Sequence, residues 1–317
     1  MGSSRSQMDR TPGPLTLPSF PSLMGKVPSG TVRWAFRIGY LGDGLFGVAR
    51  QPGKPTVEGL LLDGLKERGL LPADGRIRFA SRTDRGVHAL GNVIALDCPR
   101  PEGRALAGVL NSLDPRIFCL GFAPVPLDFD PVRARSRRYR YLLPSAGLRM
   151  IELKRVLKLF EGRHDFTSFS RKDHPPRDTV REVTRIDVSM VGAFAQIDVE
   201  APSFLWGQVR KIVGAAIQAS SGKLTRETLL LALAGQKHLS VPLAPPEGLT
   251  LMDVSYAFSF DTGVPGLAVK SAALSREGVE LARRATLLGW FNDRVREATP
   301  NASVDTGCSR SQERPST

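Results

Sequence analysis

The segment Phe79-Ala80-Ser81-Arg82-Thr83-Asp84-Arg85-Gly86-Val87-His88-Ala89 sets one carboxylate, Asp84, between two arginines and just before a glycine. A carboxylate in a partly buried site costs several kcal/mol unless it is paired. Arg82 or Arg85 would be a local partner that holds its charge. Such a group is a nucleophile or a base, and the same pattern also describes a structural salt bridge. A second stretch holds Arg133, Arg135, Arg137, Arg138 and Arg140, interleaved with Tyr139 and Tyr141. On a strand, Arg138 and Arg140 share one face and the tyrosines share the other. Guanidinium suits phosphate, and aromatic faces stack on unpaired bases. The plainer reading is a solvated basic strand above core tyrosines. Arg210 is a third candidate, because its neighbours Val209, Ile212, Val213, Ala216 and Ile217 make an apolar helix stripe. A charge there needs a partner such as Asp84, or else snorkels to the surface.

These groups need a scaffold. Val32, Trp34, Phe36, Ile38 and Tyr40 alternate with other residues, which predicts a half-buried strand. Thr56 offers an N-cap, Val57, Leu60, Leu61 and Leu65 follow at helical spacing, and Gly69 offers a stop. Apolar residues Ile77 and Phe79 precede the Asp84 loop, and Val93-Ile94-Ala95-Leu96 follow it, so the loop hangs between two strands. A second helix is predicted over 105–113. The later half repeats the order loosely: a strand at 138–143, a helix through Leu153, Val156, Leu157 and Phe160, and strands at 186–190 and 195–199 turning at Val191-Gly192. A helix over 204–219 and another from Thr225 to Gly235 complete it. The expected fold is α+β: two ferredoxin-like (RRM-like) units with antiparallel sheets, joined around a central basic cleft. The expected boundaries are an extension 1–30, a catalytic domain 31–128, a second domain 129–270 and a C-terminal extension 271–317. Residues 1–30 and 298–317 read as disordered from composition, and 281–295 as a helix.

The 317 residues carry a net charge of +13. Two net positive charges lie before residue 31 and two after residue 269, so about nine belong to the body, which favours a polyanionic partner such as nucleic acid. Cys98, Cys119 and Cys308 lack the spacing of a zinc site or a disulfide framework. His88, His164, His174 and His238 are scattered without metal-ligand spacing. No apolar run reaches the roughly 18 residues that span a bilayer, and the start has no secretory pattern. A cytoplasmic, soluble protein is expected, and nothing suggests a zinc site.

The motifs resemble those of the tRNA pseudouridine synthase A family. Arg82-Thr83-Asp84-x-Gly86-Val87-His88-Ala89 is similar to the family's G-R-T-D-x-G-V-H-A, with Ser81 where the family usually has Gly and Arg85 where many members have Ala. Arg138-Tyr139-Arg140-Tyr141 resembles R-x-Y-x-Y. Phe204-Leu205-Trp206-Gly207-Gln208-Val209-Arg210-Lys211-Ile212-Val213-Gly214 resembles F-L-x-x-x-V-R-x-I-V-G. Weaker matches are Gly162 to Phe169 with G-x-H-D-F-x-x-F, Ala105 to Leu113 with A-L-N-x-x-L, and Pro245 to Leu251 with P-x-x-G-L-x-L, where Thr250 stands in place of the usual Tyr.

The resemblance implies an isomerase that turns uridine into pseudouridine within RNA, without cofactor or metal. It implies Asp84 as nucleophile or base, Tyr139 against the target base and Arg210 paired with Asp84. Arg82, Arg85, His88, Arg133, Arg138, Arg140 and Tyr141 are the expected RNA-contacting set. It further implies the anticodon stem-loop of tRNA as substrate, at positions 38, 39 and 40, and a homodimer whose cleft uses both subunits. The rival readings are a synthase acting on another RNA site, a non-catalytic tRNA-binding relative, a glycoside-type hydrolase that would need paired carboxylates, and a metal-dependent nuclease.

Overall fold

A computed structural model describes residues 31–98, 102–172 and 178–298. Of the extensions expected to be disordered, 1–30 and 298–317, all but Ala298 lie outside the described residues; Ala298 is the last residue of a helix. The chain divides into a body that ends at Val264 and a second unit from Pro265 onward. In the second unit the described part is one long helix, Leu267–Ala298, which starts well before the predicted residue 281.

The body follows the predicted alternation of strands and helices. β1 (Val32–Tyr40) leads to α1 (Val57–Glu67), and the Asp84 loop joins β2 (Ile77–Phe79) to β3 (His88–Cys98). Then come α2 (Gly103–Leu113), β4 (Ile117–Val125), β5 (Ser136–Pro144), α3 (Met150–Lys158), β6 (Gly162–Asp165) and β7 (Val180–Val183). β8 (Arg185–Val191), β9 (Phe194–Ala201), α4 (Gln208–Ser220), α5 (Arg226–Leu233) and β10 (Leu249–Ser255) complete it. Thr56 caps α1 by accepting a hydrogen bond from Gly59 N–H, and Thr225 caps α5 from Thr228 N–H.

The fold is α+β, and its main sheet is antiparallel at every pairing but one. The strand order is β4-β1-β3-β10-β5-β9-β8, with β2 also paired to β3. The exception is the parallel contact of β10 with β3, Thr250 opposite His88 and Leu251 opposite Ala89. β10 pairs antiparallel with β5 on its other side, so the last strand of the body fuses the two halves into one sheet. β6 and β7 form a separate hairpin-like pair.

β1 differs from the half-buried strand its alternation predicts, because both faces are covered. Trp34 lies against Gly103 of α2 and near Phe122 at 6.0 Å. The other face carries Arg33 and Arg37. Arg33 is buried in a two-point bond to Asp97 at 2.5 and 2.8 Å. Arg37 pairs with Asp253 at 2.7 Å and sits over the Phe260 ring at 4.9 Å. A ladder of Tyr256, Phe258 and Phe260 belongs to the segment covering that face. Paired arginines can be buried where lone ones cannot, so a charged residue in the pattern does not mark solvent here.

α4 begins at Gln208, four residues after the predicted start. Phe204 to Gly207 form a turn instead. Gly207 adopts a left-handed φ of 70°, and the Gln208 side chain accepts from Leu205 N–H at 2.8 Å. Glycine takes that φ without strain.

Candidate active site

The Asp84 loop is built on a buried polar network. Asn92 on β3 donates to Ser81 O at 2.9 Å and to the Tyr40 hydroxyl at 3.1 Å, and its Oδ1 accepts from Ser81 N–H at 3.2 Å. The Tyr40 and Thr83 hydroxyls lie 2.9 Å apart. Burial raises the Tyr40 hydroxyl far above its ordinary pKa, so it stays neutral within this network. Every member has a partner, which makes such a network rigid. Backbone bonds from Val48 N–H to Thr83 O and from Gly86 N–H to Leu45 O tie the loop to the segment after β1.

Neither local arginine pairs with Asp84. Arg82 is exposed. Arg85 lies over the Phe46 ring at 4.3 Å. The guanidinium comes from Arg210 on α4, whose Nη1 donates to Asp84 Oδ2 at 2.8 Å. Arg210 Nε donates to Ala244 O at 2.7 Å, and Ala244 N–H bonds back to Arg210 O. Arg210 is 12% exposed and Asp84 is 21% exposed. The carboxylate is therefore oriented by a fixed, nearly buried cation, yet it remains open to solvent on one side.

The second oxygen, Oδ1, accepts from the indole Nε1–H of Trp206 at 2.8 Å. Sequence reasoning quoted Trp206 within a motif and gave it no role. A visible signal was its place four residues before Arg210, beside the glycine that turns the chain into α4. Arg137 is a second residue passed over. It is buried, and its guanidinium donates to Ser81 Oγ at 3.1 Å, Pro202 O at 2.7 Å, Ala80 O at 3.1 Å and Val132 O at 2.7 Å. It braces β5 against the start of the Asp84 loop through neutral acceptors. The Ser81 hydroxyl, where the family motif has glycine, thus gains a structural use.

Tyr139 is buried on β5 and meets the Phe204 ring edge-on at 5.2 Å. Burial raises its hydroxyl pKa; a Ser81 hydrogen bond and the Arg137 charge oppose this, and the nearby Asp84 charge adds to it. Its backbone is opposite Leu251, which is itself opposite Ala89, so β10 fixes the spacing between Tyr139 and the strand that follows the Asp84 loop. Tyr141 is buried too, donates to Pro245 O at 2.9 Å and is pushed up to about 12 by burial, with the Glu247 charge adding.

The other expected contact residues divide into two sets. Arg133 and Arg138 are exposed. Arg140 is bound at two points to Asp198 on β9, at 2.8 and 2.9 Å. His88 is half-buried, accepts from Gly42 N–H at its Nδ1 (3.1 Å) and faces Asp43 at 4.0 Å. Among the described residues no group of three or more His, Cys, Asp or Glu side chains is placed to hold a metal ion, and no helix is long and apolar enough to cross a membrane.

A carboxylate gripped by a distant arginine, beside a buried tyrosine on an α+β scaffold, fits the pseudouridine synthases as a class. The family model described as tRNA pseudouridine synthase matches residues 156–257. The chain is 44% identical over 228 residues to a tRNA pseudouridine synthase A of Pyrococcus abyssi, covering 71% of this chain and 85% of that protein. It is 39% identical over 265 residues to the enzyme of the same description from Thermococcus sibiricus, covering 82% and 99%. A third relative of that description, from Methanococcoides burtonii, is 40% identical over 247 residues, covering 76% and 89%. The chain belongs to the tRNA pseudouridine synthase A family and is an isomerase.

Proposed function

We propose that the protein isomerises uridine to pseudouridine in the anticodon stem-loop of tRNA, at positions 38, 39 and 40, with Asp84 as the reacting group. The observation that carries this reading is the carboxylate of Asp84 held at 2.8 Å by Arg210 while one side stays open. In the reaction the C1′–N1 bond breaks and a C1′–C5 bond forms. A proton leaves C5 and N1 gains one. The uracil must leave the stack to turn over, at a cost of a few kcal/mol that phosphate and stacking contacts offset.

Asp84 carries a carboxylate that serves each available route: attack at C1′, addition at C6, or removal of a sugar proton to give a glycal. Arg210 fixes its direction by a charge-assisted bond. Tyr139 packs against the flipped base. Arg82, Arg85, Arg133 and Arg138 meet the RNA backbone, and Arg140, His88 and Tyr141 shape the strand surface beneath it. The enzyme works in the cytoplasm as a homodimer.

The test is Asp84→Asn with unmodified tRNA transcripts, mapping pseudouridine by carbodiimide treatment and primer extension. The amide keeps the shape and loses the nucleophile, so new stops in the anticodon arm made by the parent disappear while tRNA binding persists. Pseudouridine formation by Asp84→Asn refutes the assignment of Asp84. Stops at other sites keep the chemistry and change the substrate.

A further inference from the structure

Trp206 joins two features that the reaction so far leaves unexplained. Its indole N–H occupies Asp84 Oδ1, although the residue is 41% exposed. An exposed side chain is a replaceable donor, in contrast to Arg210, which is nearly buried and also tied to Ala244. The exposed ring is covered on one side by the Arg171 guanidinium, 3.9 Å from its centroid. Arg171 N–H also bonds to Trp206 O at 2.8 Å. A side chain at Gly207 would press on Leu243 Cδ2 at 3.0 Å and on Arg171 Cγ at 3.3 Å.

A second cation reaches the same stretch of chain, where Lys211 N–H bonds to Gly207 O at 3.0 Å. Lys211, next to Arg210 on α4, is half-buried and donates to Ser168 O at 3.3 Å. Its pKa is lowered, first by burial and then by the Arg171 charge. Among the described residues no carboxylate is within salt-bridge distance of either group. Each charge raises the cost of holding the other, and a phosphate shared by them would relieve that repulsion with charge-assisted bonds.

We propose that Arg171 and Lys211 seat one backbone phosphate of the RNA, and that Trp206, clasped by Arg171 and bonded to Asp84, couples occupancy of that seat to release of Asp84 Oδ1. Arg171 turning to the phosphate loosens its stack on the indole. The indole then gives up Oδ1, and the carboxylate is freed only when RNA is in place. This rests on the reading of Asp84 as the reacting group.

The first arm measures tRNA affinity against salt for the full chain and for Arg171→Gln/Lys211→Gln, with circular dichroism to show that the variant is folded. One lost phosphate contact lowers the slope of log affinity on log salt by about 0.7 to 0.9. Between about 50 and 200 mM salt the variant should therefore lose about threefold less affinity than its parent. An unchanged slope and affinity overturn the seat. The second arm uses Trp34→Phe/Trp290→Phe, which leaves Trp206 as the sole indole fluorophore. Saturating tRNA should change its emission, and the change should vanish when the seat is also removed. A change that persists at saturation without the seat overturns the coupling. A parent that binds tRNA with this emission change but makes no pseudouridine overturns the functional reading and leaves the seat standing.

Discussion

Arg210→Ala is the sharpest probe of the site, because its effect on rate is separable from its effect on binding. The substitution removes the bond to Asp84 Oδ2 at 2.8 Å and the bond to Ala244 O at 2.7 Å. Breaking a deeply buried ion pair costs about 3–5 kcal/mol. Asp84 keeps 21% exposure and its Trp206 bond, so that value is too high here. A hydrogen bond to a charged group, about 1.5–3 kcal/mol, is the better measure. If that hold is fully expressed in the transition state, the rate of the chemical step falls about 10- to 150-fold, one decade per 1.36 kcal/mol.

The assay follows from the reaction. Hydrogen at C5 of uridine is lost when C5 bonds to C1′, so tRNA tritiated at C5 releases label to water. Single-turnover release with enzyme in excess reports the chemical step, and a separate titration reports affinity. Arg210→Ala should slow release by the stated factor with little change in affinity. Arg210→Lys keeps the charge without the planar two-point hold and should fall between. A single-turnover rate within about twofold of the parent, combined with weakened tRNA binding, would mean that Arg210 is a phosphate contact and that Asp84 needs no partner.

Arg137→Met leaves the acceptors of Ser81, Ala80, Val132 and Pro202 without their donor, at about 1–3 kcal/mol for each buried group that water fails to reach; a loss near 3 kcal/mol lowers the melting temperature by about 6–12 °C, which calorimetry reads. Gly214→Ala puts a Cβ 2.1 Å from Pro242 O, so α4 must shift away from the segment carrying Ala244; about 1–3 kcal/mol of stability should be lost, with a slower C5 release than Arg137→Met gives at equal stability. Tyr141 holds its proton more tightly folded than unfolded, with its value raised from 10.0 to about 12. Its contribution is therefore present below pH 10 and lost as pH rises through about 12. Tyr141→Phe should flatten that part of a plot of unfolding midpoint against pH.

The residues proposed to do chemistry were legible as words, and the reason they meet was not. Asp84 stood out because two arginines flank it, yet those arginines turn elsewhere, one to solvent and one onto Phe46. Charge pattern ranks neighbours in sequence, whereas Arg210 lies 126 residues away. Its position on an apolar stripe did carry the needed information, since such a cation requires a buried partner. Helix ends were legible where a side chain caps them, as at Thr56 and Thr225. They were missed at α4, where Gln208 folds back onto Leu205 N–H, a local bond that helical periodicity does not encode. Alternation in β1 gave the strand but not its second covered face, because that cover comes from the segment around Phe260, more than 200 residues later.

β10 shows why one sheet was harder to foresee than two units. Each half makes a strand-and-helix pattern that reads as self-contained. The sheet closes only when Thr250 and Leu251 enter parallel to His88 and Ala89 on one side while β10 runs antiparallel to β5 on the other. That single row sets Ala89, Leu251 and Tyr139 side by side, with Asp84 just before the first of them. Arg137, two residues before Tyr139, then reaches back to Ser81 and Ala80 and locks the loop from the far strand. α4 brings Arg210 and Trp206 to the two oxygens of Asp84. Parts of the site thus come from a loop, a strand and a helix that have no local interaction with one another. Non-local pairing of this kind is slow to form.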